Sequence, residues 1–300
     1  MSIQIRDRIW NASACWSSTQ EQIDQLVTSG IGVIVGKTCT MFPRAANNNP
    51  VYDEVAYDLR WNRMGLPNNG YEYYRNVAIH TMKKYRIPYI LSLYVQNDTS
   101  ILEECLYILR DYQRVLVEES IPDVLVELNV SCPNDKDRIP GYHCTDMYQI
   151  LSSLSTSSHE FDRIRFGIKL PPYFEKYMMN KMADVLIEYV NIVAYIVCSN
   201  TIPNTFHPTH NLYGGLSASP VNRMISTGNI QMFRKAFETH KNIDIKIVGC
   251  GGIHNADHIR EYLRCGADVV QLGSAFYNQF SNELRSSKIR SIISELEAFL

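Results

Sequence analysis

The residues of this sequence best placed for chemistry are a cysteine and two lysines at the ends of apolar runs. Cys132 lies in VELNVSCPND, Val126 to Asp135. The run from Val124 to Val130 is short and β-branched, as a strand covered on both faces should be, and Pro133 cannot continue a ladder. Cys132 therefore sits just past a strand's carboxyl end, where α/β proteins gather their reactive groups. Lys37 closes VIVGK and Lys169 lies in FGIKL. Each ammonium is thus carried by a rigid element rather than by a helix surface.

Residues so placed act together only if one fold brings the strand ends to one mouth. Short β-rich runs begin at Ile9, Gly32, Pro88, Leu125, Phe166, Ile192, Ile245 and Val269. Between them lie stretches with helical spacing and polar faces: Thr19 to Thr28, Ile101 to Glu119, Tyr173 to Tyr189, Ser219 to His240 and Asn255 to Cys265. This alternation is the pattern of a (β/α)8 TIM barrel, with a doubly wound sheet as the alternative. No linker-like tract, low-complexity segment or internal repeat divides the chain, so residues 1–300 are expected to form a single domain. Two long inserts, Thr38 to Tyr74 and Asn200 to Pro220, follow the second and sixth runs. They are rich in Asn, Gly, Pro and Tyr and read as loops at the carboxyl-terminal face.

In such a barrel, VGCGGI after the seventh run and LGSA after the eighth form a phosphate cradle, because glycines let backbone N–H groups approach an anion. Either run alone is also explained by a tight turn; their pairing on consecutive final strands favours the phosphate. An isoalloxazine ring gains negative charge near N1 and O2 on reduction and needs a positive charge there. Lys169 is the candidate for that charge, and Lys37 for a group spanning flavin and substrate.

Composition narrows the partners. With 29 basic and 31 acidic residues in 300, and no basic block or Lys/Arg stripe, nothing points to nucleic acid or an anionic membrane. The start MSIQIRDRIW lacks the basic-then-apolar form of a secretory signal, so a cytoplasmic protein is expected. The longest apolar stretches, such as IGVIVG and VAYIVC, fall far below the roughly 20 residues of a membrane helix. The eight cysteines show no CxxC pairing, which argues against a zinc site and a disulfide framework, and no metal is expected.

NVSCPN at Asn129 to Asn134, GKTCT at Gly36 to Thr40, NRMGLPNNGYEYY at Asn62 to Tyr74, GIKLPPYF at Gly167 to Phe174, and GCGGI with QLGSA together resemble a dihydroorotate dehydrogenase. They most resemble the soluble class 1A enzymes, and the likeness runs from Asn11 to Phe276. NxSCPN with MGLPN is highly specific, whereas the glycine runs are shared by many flavin barrels. The resemblance implies oxidation of dihydroorotate to orotate with FMN as cofactor, fumarate as oxidant and a homodimeric assembly. It implies that Cys132 is the base and that Asn62, Asn129, Asn134, Asn200 and Thr201 hold the pyrimidine, joined by Lys37 and the backbone of Met64, Gly65 and Leu66. Ala12, Ser13, Lys37, Thr38, Asn129, Lys169, Gly215, Gly249, Gly251, Gly252, Gly273 and Ser274 are implied to contact FMN. The amides suit the ligand independently, since a primary amide both donates and accepts toward a ring of alternating C=O and N–H edges. An unperturbed thiol has a pKa of about 8.5, so a cysteine base implies a rate that rises on the alkaline side.

Several positions depart from the family's pattern. Arg63 stands where serine is usual, Pro203 and Thr205 replace glycines in the loop after the sixth strand, and Ala14 replaces a glycine near the flavin. Arg63 and Pro203 motivate a rival reading, a flavin-binding relative without activity. A second rival, an enzyme acting on other dihydropyrimidines or on dihydrouridine in RNA, is disfavoured in its RNA form by the neutral charge.

Overall fold

The computed structural model describes residues 5–56, 59–132, 138–241, 243–276 and 282–298. In chain order the strands are β1 (Ile9–Asn11), β2 (Ile34–Val35), β3 (Tyr52–Ala56), β4 (Leu59–Asn62), β5 (Tyr89–Tyr94), β6 (Val124–Asn129), β7 (Ile164–Lys169), β8 (Val193–Cys198), β9 (Ile202–His207), β10 (Leu212–Ala218), β11 (Lys246–Cys250) and β12 (Val269–Leu272). The helices are α1 (Gln20–Thr28), α2 (Tyr71–Tyr85), α3 (Thr99–Glu118), α4 (Cys144–Thr156), α5 (Lys176–Glu188), α6 (Pro220–Glu238), α7 (Ala256–Arg264) and α8 (Asn282–Glu297).

The β-rich runs of the sequence are the parallel strands of a TIM barrel. They pair in the order β1-β12-β11-β8-β7-β6-β5-β2, and a parallel bridge between Trp10 and Val33 returns β1 to β2 and closes the ring. Helices start where their caps dictate. Thr19 and Gln22 form a capping box at α1, Asp98 accepts from two backbone N–H groups at α3, and Ser219 with Pro220 opens α6. The run read as a helix from Tyr173 begins only at Lys176, because Tyr173 N–H donates instead to Asn229 Oδ1 at 2.8 Å. Helices α2, α4 and α8 are not among the stretches named as helical from the sequence, although the strand–helix alternation calls for helices there.

Apolar residues on the outward faces of the strands, such as Leu91, Leu128 and Ile168, pack against the helices. A second cluster of Trp10, Val35, Ile90, Tyr195, Val197 and Val248 fills the barrel interior. Trp10 and Tyr195 meet edge to face at 5.5 Å there. Tyr195 fits only because its neighbour on β7 is Gly167, where a Cβ would run into the tyrosine ring. Gly167→Ala is therefore expected to lower stability by about 1–3 kcal/mol through overpacking, read from chemical unfolding. An unchanged midpoint would contradict this packing.

The two inserts are not loops alone, as the sequence reading had them. They supply a four-stranded antiparallel sheet, β3-β4-β10-β9, in which Asn62 on β4 pairs with Gly215 on β10. Trp61 is almost fully buried in this sheet and donates through Nε1 to Thr205 O at 3.1 Å. Each insert contributes only one hairpin, marginal by itself, so neither reads as strands until the other covers it.

Candidate active site at the carboxyl ends of the barrel strands

The strand ends and the four-stranded sheet enclose one cavity. Ala12, Ser13, Lys37, Thr38, Asn129, Cys132, Lys169, Gly251 and Gly273 line it from the barrel, and Asn62, Met64 and Leu66 from the first insert. Asn200 and Thr201 complete it from the start of the second insert. Cys132 is 6% exposed and packs with Leu66 and Tyr94, so its thiol lies against apolar cover at the rim. Leu66 reaches it from a backbone with φ of 59°, next to Gly65 at 76°. At Gly65 a Cβ would press on the Asn47 side chain, so the MGLPN turn depends on that glycine.

A continuous polar chain holds the amides. Asn200 Nδ2 donates to Ser131 Oγ at 2.9 Å, and Ser131 donates through both N–H and Oγ to Asn129 Oδ1 at 3.2 Å. Asn129 Nδ2 donates to Thr38 Oγ1 at 3.2 Å, and Thr38 shares hydrogen bonds of 2.9 Å with Ser13 and Ser92. Thr201 N–H fixes the other end by donating to Asn200 Oδ1 at 2.8 Å. Among the described residues, Asn129 Oδ1 accepts twice and its Nδ2 donates once, which leaves one N–H hydrogen, whereas Asn200 Nδ2 also donates to Ser131 O at 3.3 Å and its Oδ1 keeps one lone pair.

The charges are buried as well. Lys169 is 4% exposed, and its Nζ donates to Gln271 Oε1 at 3.4 Å. Gln271 Nε2 donates in turn to Glu127 Oε2 at 2.6 Å, and Tyr195 OH to the same oxygen at 3.3 Å. Glu127 and Gln271 are fully buried, and Glu127 Oε1 has no hydrogen-bond partner. A carboxylate in the barrel interior is thereby linked to the ammonium at its mouth through one amide. Neither residue was anticipated as part of the site. The available signal was a charge in LVELN and an amide in VVQLG, single polar residues inside runs otherwise suited to full burial.

Burial above all lowers the Lys37 pKa below that of an ordinary lysine; the thiol groups of Cys132, Cys15 and Cys39 oppose the shift and Lys169 adds to it. The folded state thus holds this proton less tightly than the unfolded chain. The resulting penalty is present at neutral pH and is relieved as pH rises from the folded pKa toward 10.5. Lys37→Met is expected to raise the urea midpoint of the ligand-free protein near neutral pH, with the gain shrinking as pH increases. A lower midpoint would contradict this.

The glycine turns after β11 and β12 fit an anion. Gly251 and Gly252 have φ of 128° and 60°, and a Cβ at Gly252 would collide with the Ser219 carbonyl. Among the described residues, the N–H groups of Gly251, Gly252 and Gly273 donate to no other backbone group. Backbone donors left unused beside a cavity are the anion cradle such barrels offer. Gly249 lies outside the cavity lining, and a side chain there would strike the Tyr262 ring, so strand–helix packing already requires it. Gly215, the register partner of Asn62, also lies outside the lining. Asn134 and Pro133 lie outside the described residues, as does the side chain of Ser274. Ala14, read from sequence as lying near the flavin, lines the cavity, and Cys15, Ser199, Ser217, Cys250 and Ile253 line it without having been named as contacts from sequence.

Of the departures from the family pattern, Ala14 lines the cavity, whereas Arg63, Pro203 and Thr205 do not. Arg63 Nη1 donates to Asn48 O at 3.2 Å, and Arg63 is not part of the lining. Pro203 and Thr205 are strand residues of β9, where Thr205 Oγ1 donates to Gly214 O at 3.2 Å.

Known proteins resemble this chain over most of its length. The family model described as dihydroorotate dehydrogenase matches residues 1–300. The dihydroorotate dehydrogenase (fumarate) of Lachancea kluyveri is 30% identical over 280 residues, covering 90% of this chain and 83% of the relative. The putative dihydroorotate dehydrogenase A (fumarate) of Streptococcus equi subsp. equi is 29% identical over 290 residues, covering 90% and 84%. The crystal structure of DHODH in complex with ferulenol from Eimeria tenella shares the fold, with a TM-score of 0.76 at 16% identity over 97% of this chain and 81% of that one.

Proposed function

This chain belongs to the dihydroorotate dehydrogenase family, and from that premise we propose that it oxidises dihydroorotate to orotate in pyrimidine biosynthesis, using FMN as cofactor and fumarate as electron acceptor. The observation that carries this reading is the Cys132 thiol, buried against Leu66 and Tyr94 in the same cavity as Lys37, Asn62, Asn129 and Asn200. FMN held by these residues would supply the two-electron redox chemistry that couples dihydroorotate to fumarate. Every other part of the reaction falls to this chain's own residues.

Cys132, as thiolate, takes the proton from C5, and the thiol later returns it to solvent. Lys37 interacts favourably with that thiolate, and its charge is available to the substrate carboxylate. Leu66 covers the thiol and keeps water from it. Asn62, Asn129, Asn134, Asn200 and Thr201 orient the pyrimidine, and the Ser131 bridge sets the angle between two of these amides. Lys169, held by Gln271, supplies the positive charge required on the N1 side of the ring. Gly251, Gly252, Gly273 and Ser274 take the phosphate through backbone N–H groups, with Ala12, Ser13 and Thr38 around the rest of the cofactor.

No helix among the described residues is long and apolar enough to cross a membrane. We place the protein in the cytoplasm as a homodimer acting on small molecules. The reading of an inactive relative loses its motive, because the Arg63 guanidinium turns to Asn48 O and Pro203 belongs to a regular strand. Orotate formation should be compared with fumarate, a quinone analogue or NAD as acceptor. Turnover is expected with fumarate; orotate production only with quinone would overturn the assignment of the acceptor.

A further inference from the structure

Asp53 on β3, His207 at the end of β9 and His210 in the turn before β10 converge, with ligand atoms all within 4.8 Å of one another. His210 Nε2 lies 2.7 Å and His207 Nε2 3.3 Å from the same oxygen, Asp53 Oδ2. The two imidazoles stack with centroids 4.2 Å apart, and Trp61 packs its edge against His207 at 5.0 Å. His207 is only 3% exposed, yet its Nε2 makes no hydrogen bond. A buried ring nitrogen aimed at a carboxylate without bonding to it is a costly arrangement for a purely structural contact.

From this convergence we infer that Asp53, His207 and His210 form a binding site for a divalent transition metal of the zinc class, with water completing the coordination shell. Two imidazoles and one carboxylate are a donor set that Zn²⁺ accepts in sites that keep an open position. At metal–ligand distances of about 2.0–2.1 Å, donors at tetrahedral angles stand about 3.3 Å apart. The His207–Asp53 separation already has that value, and the His210–Asp53 pair, now at hydrogen-bond distance, needs to open by about half an ångström. Coordination through Nε2 puts the ring proton on Nδ1. For His207 this gives up only a long contact of 3.3 Å from the His210 N–H.

The position gives such an ion a mechanical consequence. β3 and β9 are the opposite edges of the sheet β3-β4-β10-β9, and the three ligands join them across the face occupied by Trp61. That sheet carries Asn62 and Ser217 to the cavity, so an ion here clasps the element that covers the site. His207 and His210 lie three residues apart in the second insert, whereas Asp53 comes from the first, so only the folded sheet brings the carboxylate to the two imidazoles. This inference is independent of the assigned reaction.

The test uses untagged full-length protein with its cofactor, treated with chelator, dialysed and titrated with Zn²⁺ or Co²⁺. The wild type is expected to bind one ion per chain, to unfold at a higher temperature with the ion, and to show ligand-field absorption with Co²⁺. His210→Ala and Asp53→Asn, both altered at partly exposed side chains, are expected to lose all three responses. Their flavin spectra and metal-free unfolding midpoints show that they remain folded. No binding by the wild type, or equal binding by either folded variant, would overturn the site.

Discussion

Cys132→Ala is expected to slow reduction of the bound flavin by dihydroorotate by about 10²–10⁴-fold, the loss typical of a positioned general base. Flavin content and orotate affinity should stay near those of the wild type, because the other groups assigned to both ligands remain. The packing role of this residue is small. A sulfur at the rim, 6% exposed beside Leu66 and Tyr94, is not in the main barrel core, so the melting temperature should move little. Cys132→Ser should also be strongly impaired, since a hydroxyl is far less acidic than a thiol, and its residual rate should climb further into alkaline pH. Near-normal reduction by the alanine variant, or a large fall in melting temperature with normal reduction, would make Cys132 a structural residue.

Lys169→Met is expected to slow the same reductive step by about 10²–10³-fold, the loss seen when one preorganised charge-stabilising group is removed. The flavin should also become harder to reduce. A further consequence follows from the hydrogen-bond chain to Glu127. Without the ammonium, Gln271 links a fully buried carboxylate to no cation, and stability should fall by about 1–3 kcal/mol. Adding Glu127→Gln removes the buried charge and should restore much of the stability without restoring the rate. Full recovery of the rate in the double variant would show that Lys169 acts on folding alone.

The barrel was legible because parallel strands buried on both faces read as short β-branched runs, and Tyr89–Tyr94 and Val193–Cys198 are such runs. Lys37, Asn129, Cys132 and Lys169 could be placed because each follows or ends one of them. The covering sheet was hidden. YDEVA and IPNTFH carry charge, Pro and Asn, and their strand character depends on Asn62 meeting Gly215 from the other insert. Glu127 and Gln271 were hidden for a related reason: only the strand register shows that both side chains point into the barrel and touch. Gly249, read from sequence as a cofactor contact, has a visible packing reason in Tyr262 that no sequence pattern announces.

The most direct test is anaerobic mixing of the purified protein with dihydroorotate while the visible flavin spectrum is followed. The expected result is bleaching of the oxidised flavin with formation of one orotate per flavin, faster at alkaline pH, and recovery of colour on adding fumarate. A protein that binds flavin and orotate but stays oxidised under dihydroorotate across that pH range would contradict the assignment of Cys132 as the base of a dihydroorotate oxidation.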